Sequence, residues 1–326
     1  MTVFVASRLD AECENMILSA FGSSSLPAEN AAQVHSEDLS DRNCMHTLSE
    51  CADKGCMPRA DRATECANRA TENANYATEN ANSVTEFVDC TSHMCGGIHI
   101  VRLPRFAVLD APVSDHPDML LFAYKERILC PEAYYIQNEN IFAGNAGSVP
   151  THTHIPEYGG ICAYPDDIAL NALRMRFPDR GDVVLCRADS ASRELLSMFD
   201  RGNIINIRQG YAACSACKVT ERAIITADRG EALAAERLGA DVLLISPGGI
   251  ALPGYDTGFI GGASARIGDA LFFFGDPMLH PDGERIMDFV QSHIGEKHAL
   301  EDETPLRRVF CAHGVLRDHG GAVVCG

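Results

Sequence analysis

Residues with chemical potential stand at the starts of apolar runs in this chain: His116 with Asp118, Asp167 with Asn171, Cys214 with Ser215, Ser264, and His319 with Cys325. Thiols can attack or bind soft metals, and a carboxylate beside an amide can hold a polar ligand. Each has a plainer use as well. Cys325 also reads as a small apolar strand residue, His116 and Asp118 as a turn or cap, and Asp167 and Asn171 as groups that satisfy turn backbone. Metal patterns are weak. Cys214-Ser215-Ala216-Cys217 is a lone C-x-x-C whose sulfurs, on a strand, would point to opposite faces. His152 and His154 would share a face if extended, but in a polar loop they read as solvated. Cys44, Cys51, Cys56, Cys90 and Cys95 with His93 have no zinc spacing, so no metal or other cofactor is expected. The pairs Gly159-Gly160, Gly261-Gly262 and Gly320-Gly321 suit close backbone approach, and none leads into a Lys-Ser/Thr and helix as a phosphate loop would.

The elements that must position these residues repeat. An apolar strand, an Asp, an amphipathic helix, a Gly and another strand recur three times, each preceded by a further strand. Val183-Val184-Leu185 leads past Asp189 and Leu195 to Gly202 and Ile204-Ile205. Ala223-Ile224-Ile225 leads to Asp228, which can cap a helix with Glu231 three residues on, then to Gly239 and Val242–Ile245. Leu271-Phe272-Phe273 leads past Asp276 to a stripe of Ile286, Phe289 and Val290, then Gly295. The preceding strands are expected at 168–176, 214–219 and 260–267.

Two partial copies raise the count to five. Residues 119–124 and 127–130 read as a hairpin whose helix is replaced by a polar stretch over 131–158. Val3-Phe4-Val5 is followed by a helix with Ile17 and Phe21 inward, and its third strand appears only at 98–103. Gly320 to Cys325 then supplies the strand that this first copy lacks. The expected fold is α/β, a five-unit ββαβ propeller over 1–22 plus 98–326. Residues in the first strand of each unit would converge on a central pocket.

Residues 23–97 read as an insertion, disordered or a projecting helix. From Ala63 the text repeats in sevens, and small apolar residues from Ala60 to Val88 keep a 3-4 spacing, an alanine-rich coiled-coil seam. That seam, 60–88, is the segment expected to meet a protein partner.

Composition narrows the function classes. The chain has 326 residues, is 46% hydrophobic and carries a formal charge of -18. Such a field repels phosphate backbones and favours cationic or neutral ligands, so nucleic acid is not expected. The 14 cysteines are scattered through a long chain and read mostly as reduced thiols. Without an apolar run long enough to span a bilayer or a basic, apolar start, a cytoplasmic protein with no membrane contact is expected.

Four segments carry a resemblance: His116-Pro117-Asp118-Met119-Leu120-Leu121-Phe122; Tyr164-Pro165-Asp166-Asp167-Ile168-Ala169-Leu170-Asn171; Gln209-Gly210-Tyr211-Ala212-Ala213-Cys214-Ser215; and the run from Leu252 to Ser264. With them the chain resembles the pentein superfamily, and within it a mainly clostridial branch of unknown function. Its guanidino-group-modifying members include agmatine and arginine deiminases, amidinotransferases and dimethylarginine hydrolases. The resemblance implies a Cys nucleophile, a His that shuttles the proton and carboxylates that clamp the planar cation. Cys325, which follows Gly320-Gly321 at the deiminase-like spacing, or Cys214 would be the nucleophile. His116 would be the general acid/base, and Asp118, Asp167, Asn171 and Ser264 would bind a small guanidine- or amine-bearing ligand. Two departures stand: Cys325 is the penultimate residue, and His116 opens the second unit whereas the family's His lies nearer the C-terminus. The fold is also used by ribosome anti-association factors, so a non-catalytic scaffold with the 60–88 arm is the competing expectation beside a hydrolase or amidinotransferase.

Overall fold

The computed structural model describes residues 1–22, 93–95, 97–142, 151–153, 162–295 and 303–325. The strands Thr2–Ala6, Arg127–Pro131, Gly181–Cys186, Ala223–Thr226 and Ala270–Phe273 are buried over most of their length. Each is an inner strand of its sheet. The strand on one side is antiparallel and the strand on the other is parallel.

Phe122–Tyr124 and Thr151–Thr153 flank Arg127–Pro131 in the second sheet, and Leu173–Phe177 and Ile204–Asn206 flank Gly181–Cys186 in the third. Ala216–Lys218 and Asp241–Leu244 flank Ala223–Thr226 in the fourth; Ser264–Ile267 and Arg308–Cys311 flank Ala270–Phe273 in the fifth. The first sheet joins both ends of the chain. Val323–Cys325 lies antiparallel to Thr2–Ala6, Ile98–Leu103 lies parallel to it, and His93–Cys95 forms the outer edge.

A parallel neighbour needs a crossover. Ala11–Gly22, Glu132–Gln137 with Glu139–Phe142, Arg193–Leu196, Arg229–Arg237 and Gly283–Ser292 supply it in turn. The fourth shows its cause in sequence. Asp228 accepts the Glu231 backbone N–H at 2.7 Å, and Gly239, at φ +85°, ends the helix in the left-handed region.

Successive side chains of a strand point to opposite faces, so an inner strand covered on both faces must be apolar throughout. Phe4 joins Val101, Ile128 and Cys130 in the core between the first and second sheets, whereas Val3 and Val5 join Ile267, Ala270 and Phe272 between the first and fifth. Leu129 meets Val184 and Cys186; Val183 and Leu185 meet Ala216 and Ile224; Ala223 and Ile225 meet Leu271 and Phe273. Each of these five sheets thus shares one core with the sheet before it and another with the sheet after it.

Several sequence expectations are corrected. The first strands are shorter than predicted: Pro117–Leu120 and Ala212–Ser215 are helical turns, Asp166–Ile168 is a 3-10 turn, and the fifth-sheet strand begins only at Ser264. The second unit is not missing its crossover. Its two helices are so short that only Tyr134, Ile141 and Phe142 are buried, with Tyr135 packed beside them, too few to leave a helical stripe. His93–Cys95 belongs to the first sheet, inside the range expected to be insertion. The alanine heptads and their 60–88 seam lie outside the described residues, as does His154. Among the described residues no helix is long and apolar enough to cross a membrane, and no three His, Cys, Asp or Glu side chains gather as metal ligands.

Candidate functional site

Each first strand is introduced by a turn, and the five turns are tied together in a circuit. The Asp118 backbone N–H donates to Gly320 O at 3.4 Å, and Asn171 Nδ2 donates to Asp118 O at 3.2 Å. Ala213 N–H donates to Asn171 Oδ1 at 2.8 Å, Gly262 N–H to Cys214 O at 2.9 Å, and Gly321 N–H to Gly262 O at 2.9 Å. The last bond returns to the turn that holds Gly320. Glycine is required where these backbones touch. A Cβ on Gly261 would stand 2.4–2.6 Å from the carbonyl oxygens of Ala213, Cys214 and Ala216, and one on Gly320, at φ +71°, would stand 2.4 Å from His116 Cβ.

Three of the expected site residues meet in this circuit. The Cys214 thiol donates to Asp118 Oδ2 at 2.7 Å, and Asn171 Nδ2 reaches Cys214 Sγ at 3.1 Å. Asn171 therefore orients both partners while its oxygen holds the fourth turn. Asp118 Oδ1 is buried with no hydrogen-bond partner among the described residues. Burial, and then the nearby charge of Asp318, push the Asp118 acid well above the usual carboxylate range. Burial and the Asp118 and Asp318 charges likewise push the Cys214 thiol well above its ordinary value.

Asp318, absent from the sequence candidates, completes the cluster. Its carboxylate accepts the backbone N–H groups of Phe259 at 2.8 Å and Gly320 at 3.0 Å, and burial raises it to about 6. His116 Nδ1 lies 3.7 Å from Asp318 Oδ1, too far for a hydrogen bond, and burial lowers the imidazole to about 3. It is neutral at physiological pH. Asp318 left one sequence signal, its position just before His319-Gly320-Gly321.

Asp167 occupies the outer side of the third turn. Tyr211 donates its hydroxyl to Asp167 Oδ2 at 2.9 Å, and burial raises Asp167 to about 6. The Tyr211 ring lies 5.5 Å from that of Tyr164 and 6.0 Å from that of Phe259. Tyr211 stands three residues before Cys214, within the segment from Gln209 to Ser215.

Other expected residues are employed elsewhere. Ser264 donates to Ile260 O at 2.9 Å and so satisfies its own turn. Cys325 lies opposite Thr2 in the first sheet, within the apolar core that includes Phe4, and burial pushes its thiol up to about 12. His319 Nε2 lies 3.6 Å from Asp10 Oδ2. Ser215 donates to the buried Glu231 at 2.5 Å, and Thr226 donates to the same oxygen at 2.9 Å.

A cavity of about 210 Å³ adjoins the circuit, lined by Asp118, Ala213, Gly261, Gly320 and residues of all five first strands. Cys214 does not line it but is one hydrogen bond from Asp118, which does. A second cavity of about 160 Å³ is lined by His116, Asp115, Asp318 and His319. The geometry can hold a small cation against a buried acid, with a thiol immediately behind that acid.

A family of unknown function, DUF6873, matches residues 92–306, which carry the Asp118, Asn171, Cys214 and Gly262 turns but not Gly320. No curated protein and no solved structure matches the chain. With well over half of its 326 residues matched, the chain belongs to DUF6873.

Proposed function

We propose that the five sheets form a pentein-like propeller whose axial cavity takes a small guanidine- or amine-bearing cation, with Cys214 as nucleophile of a Cys-dependent hydrolysis. The ring reading is supported by the five shared cores and by the circuit that returns to its first turn. One observation carries the ligand reading: Asp118 lines the cavity, one of its oxygens is buried with no partner among the described residues, and the other holds the Cys214 thiol. A buried, unanswered acid is costly, and a planar cation with N–H donors relieves that cost.

The chemistry follows from the same contact. A guanidinium facing Asp118 favours the carboxylate, which takes the thiol proton across the 2.7 Å bond. The thiolate adds to the guanidinium carbon, ammonia leaves with the proton from Asp118, and water releases the thiol. Guanidinium and water thereby give a urea and ammonium. His116, neutral and beside Asp318, is placed by this reading as an acid/base for the water step.

A specific observation favours a second reading, a binding protein without turnover. No imidazole hydrogen-bonds the Cys214 sulfur among the described residues, and the thiol lies far above neutrality. Incubating the protein with a panel of alkylguanidines separates the two. Release of ammonia or urea that is abolished by Cys214→Ala supports hydrolysis; saturable binding with no release supports the binding protein; neither result removes the ligand reading altogether.

A further inference from the structure

The first strands carry cations that the reading above does not use. Ala123, Arg174, Lys218, Arg266 and Val324 line both the Asp118 cavity and a neighbouring cavity of about 370 Å³. Each strand provides one such residue, so they form a collar between the two spaces. Three of the five are basic. Two residues on, facing the same way, come Arg176 and Thr220, and Lys125 stands exposed at the turn after the second-sheet strand.

Among the described residues, fewer acids than bases line the neighbouring cavity. Asp182 accepts from Arg174 Nη1 and from Arg176 Nε, both at 2.8 Å, and Glu221 accepts from Arg174 Nη2 at 2.8 Å and Lys218 Nζ at 2.7 Å. Among the described residues, Arg266 bonds to the backbone carbonyls of Val219, Gly268, Ala270 and Thr304. Of the described residues that line this cavity, five are basic and two, Glu221 and Glu303, are acidic. Lys218 has three ammonium hydrogens and spends one on Glu221.

We propose that this basic cavity is a binding site for a small oxyanion, carrying a carboxylate or phosphoryl group, held by Lys218, Arg174 and Arg266. The local excess of positive charge stands against a chain of formal charge -18, so it is not a consequence of composition. Burial, and then the Arg174 charge, lower the Lys218 ammonium to about 8 despite Glu221 and Glu303 nearby. The negative charge of a bound anion would raise the ammonium again, as Glu221 does. Lys218 and Arg174 bond to the two oxygens of one carboxylate, Glu221, and Arg is suited to paired contacts with either group. None of these cations is needed for a guanidine to reach Asp118, so the two sites can fail separately.

The test is a calorimetric titration of the full chain with inorganic phosphate and, separately, acetate, at matched ionic strength with chloride as control. Saturable binding of either anion is expected; phosphate alone would assign a phosphoryl ligand, acetate alone a carboxylate. Lys218→Met should weaken it at least tenfold. Because that buried change can disturb folding, Lys125→Glu at the exposed rim provides a second variant, expected to weaken binding about threefold. A response equal to that of chloride overturns the proposal, as does saturable binding that folded Lys218→Met or Lys125→Glu leaves unchanged.

Discussion

Asp118 and Cys214 sit 2.7 Å apart in a place where neither can readily carry charge alone. Burial is the first cause for both; the Asp118 charge raises the Cys214 thiol further, whereas the hydrogen bond from Cys214 partly offsets the rise at Asp118. The thiolate fraction at neutral pH is therefore far below that of a free cysteine, whose pKa is about 8.5. Peptide-mapped alkylation with iodoacetamide at pH 8 should label Cys214 at least tenfold more slowly than a free thiol. Asp118→Asn removes the second-largest cause of the shift and should speed that labelling. A wild-type Cys214 that reacts like a free thiol would contradict this account of the pair.

Elements are held to one another by buried acids as well as by apolar cores. Glu231 lies on the helix Arg229–Arg237, yet its carboxylate turns inward to Ser215 beside Cys214 and to Thr226. Burial raises it to about 8 from an ordinary value of 4.5. The folded state thus binds a proton more tightly than the unfolded state. That contribution is complete below about pH 4.5 and is lost as pH rises through about 8. Glu231→Gln keeps the neutral shape and should match wild type near pH 5, then melt above it at pH 8.5, by about 2–4 °C for each kcal/mol recovered. Thermal melts of both proteins across that range check it; a gap that does not change with pH would refute it.

The inner strands were legible in the sequence because alternate residues of each serve two different cores, leaving continuous apolar runs such as Val183-Val184-Leu185. Their partners were harder to delimit. Asp167, Cys214 and the residues near them lie in turns whose buried side chains resemble those of strands, so the first strands were drawn too long. The topological argument still brought Asp118, Asn171 and Cys214 together. Asp318 was illegible as a site residue beyond its place before His319-Gly320-Gly321, because its partners are the backbone N–H groups of Phe259 and Gly320.

Across the whole described molecule, neighbouring sheets share cores and the five turns share one hydrogen-bond circuit. Gly261 is where the fifth turn presses closest on the fourth. Gly261→Ala places a methyl carbon against three carbonyl oxygens and should cost at least the upper part of the roughly 1–3 kcal/mol typical of overpacking. Gly202→Ala meets nothing within 4 Å and is the control. Urea unfolding followed by circular dichroism should separate the two variants, and equal stability would show that the circuit tolerates local slack.

The central claim is that Asp118 receives a cation, and calorimetric titration with an alkylguanidine in two buffers of different ionisation enthalpy tests it most directly. Asp118, raised well above the usual carboxylate range, must lose its proton to face a cation, so binding should release protons and weaken as pH falls. Cys214→Ala should retain the affinity, and Asp118→Asn should lose it by about tenfold or more. No saturable binding in the wild type, or the same affinity in Asp118→Asn, would contradict the claim.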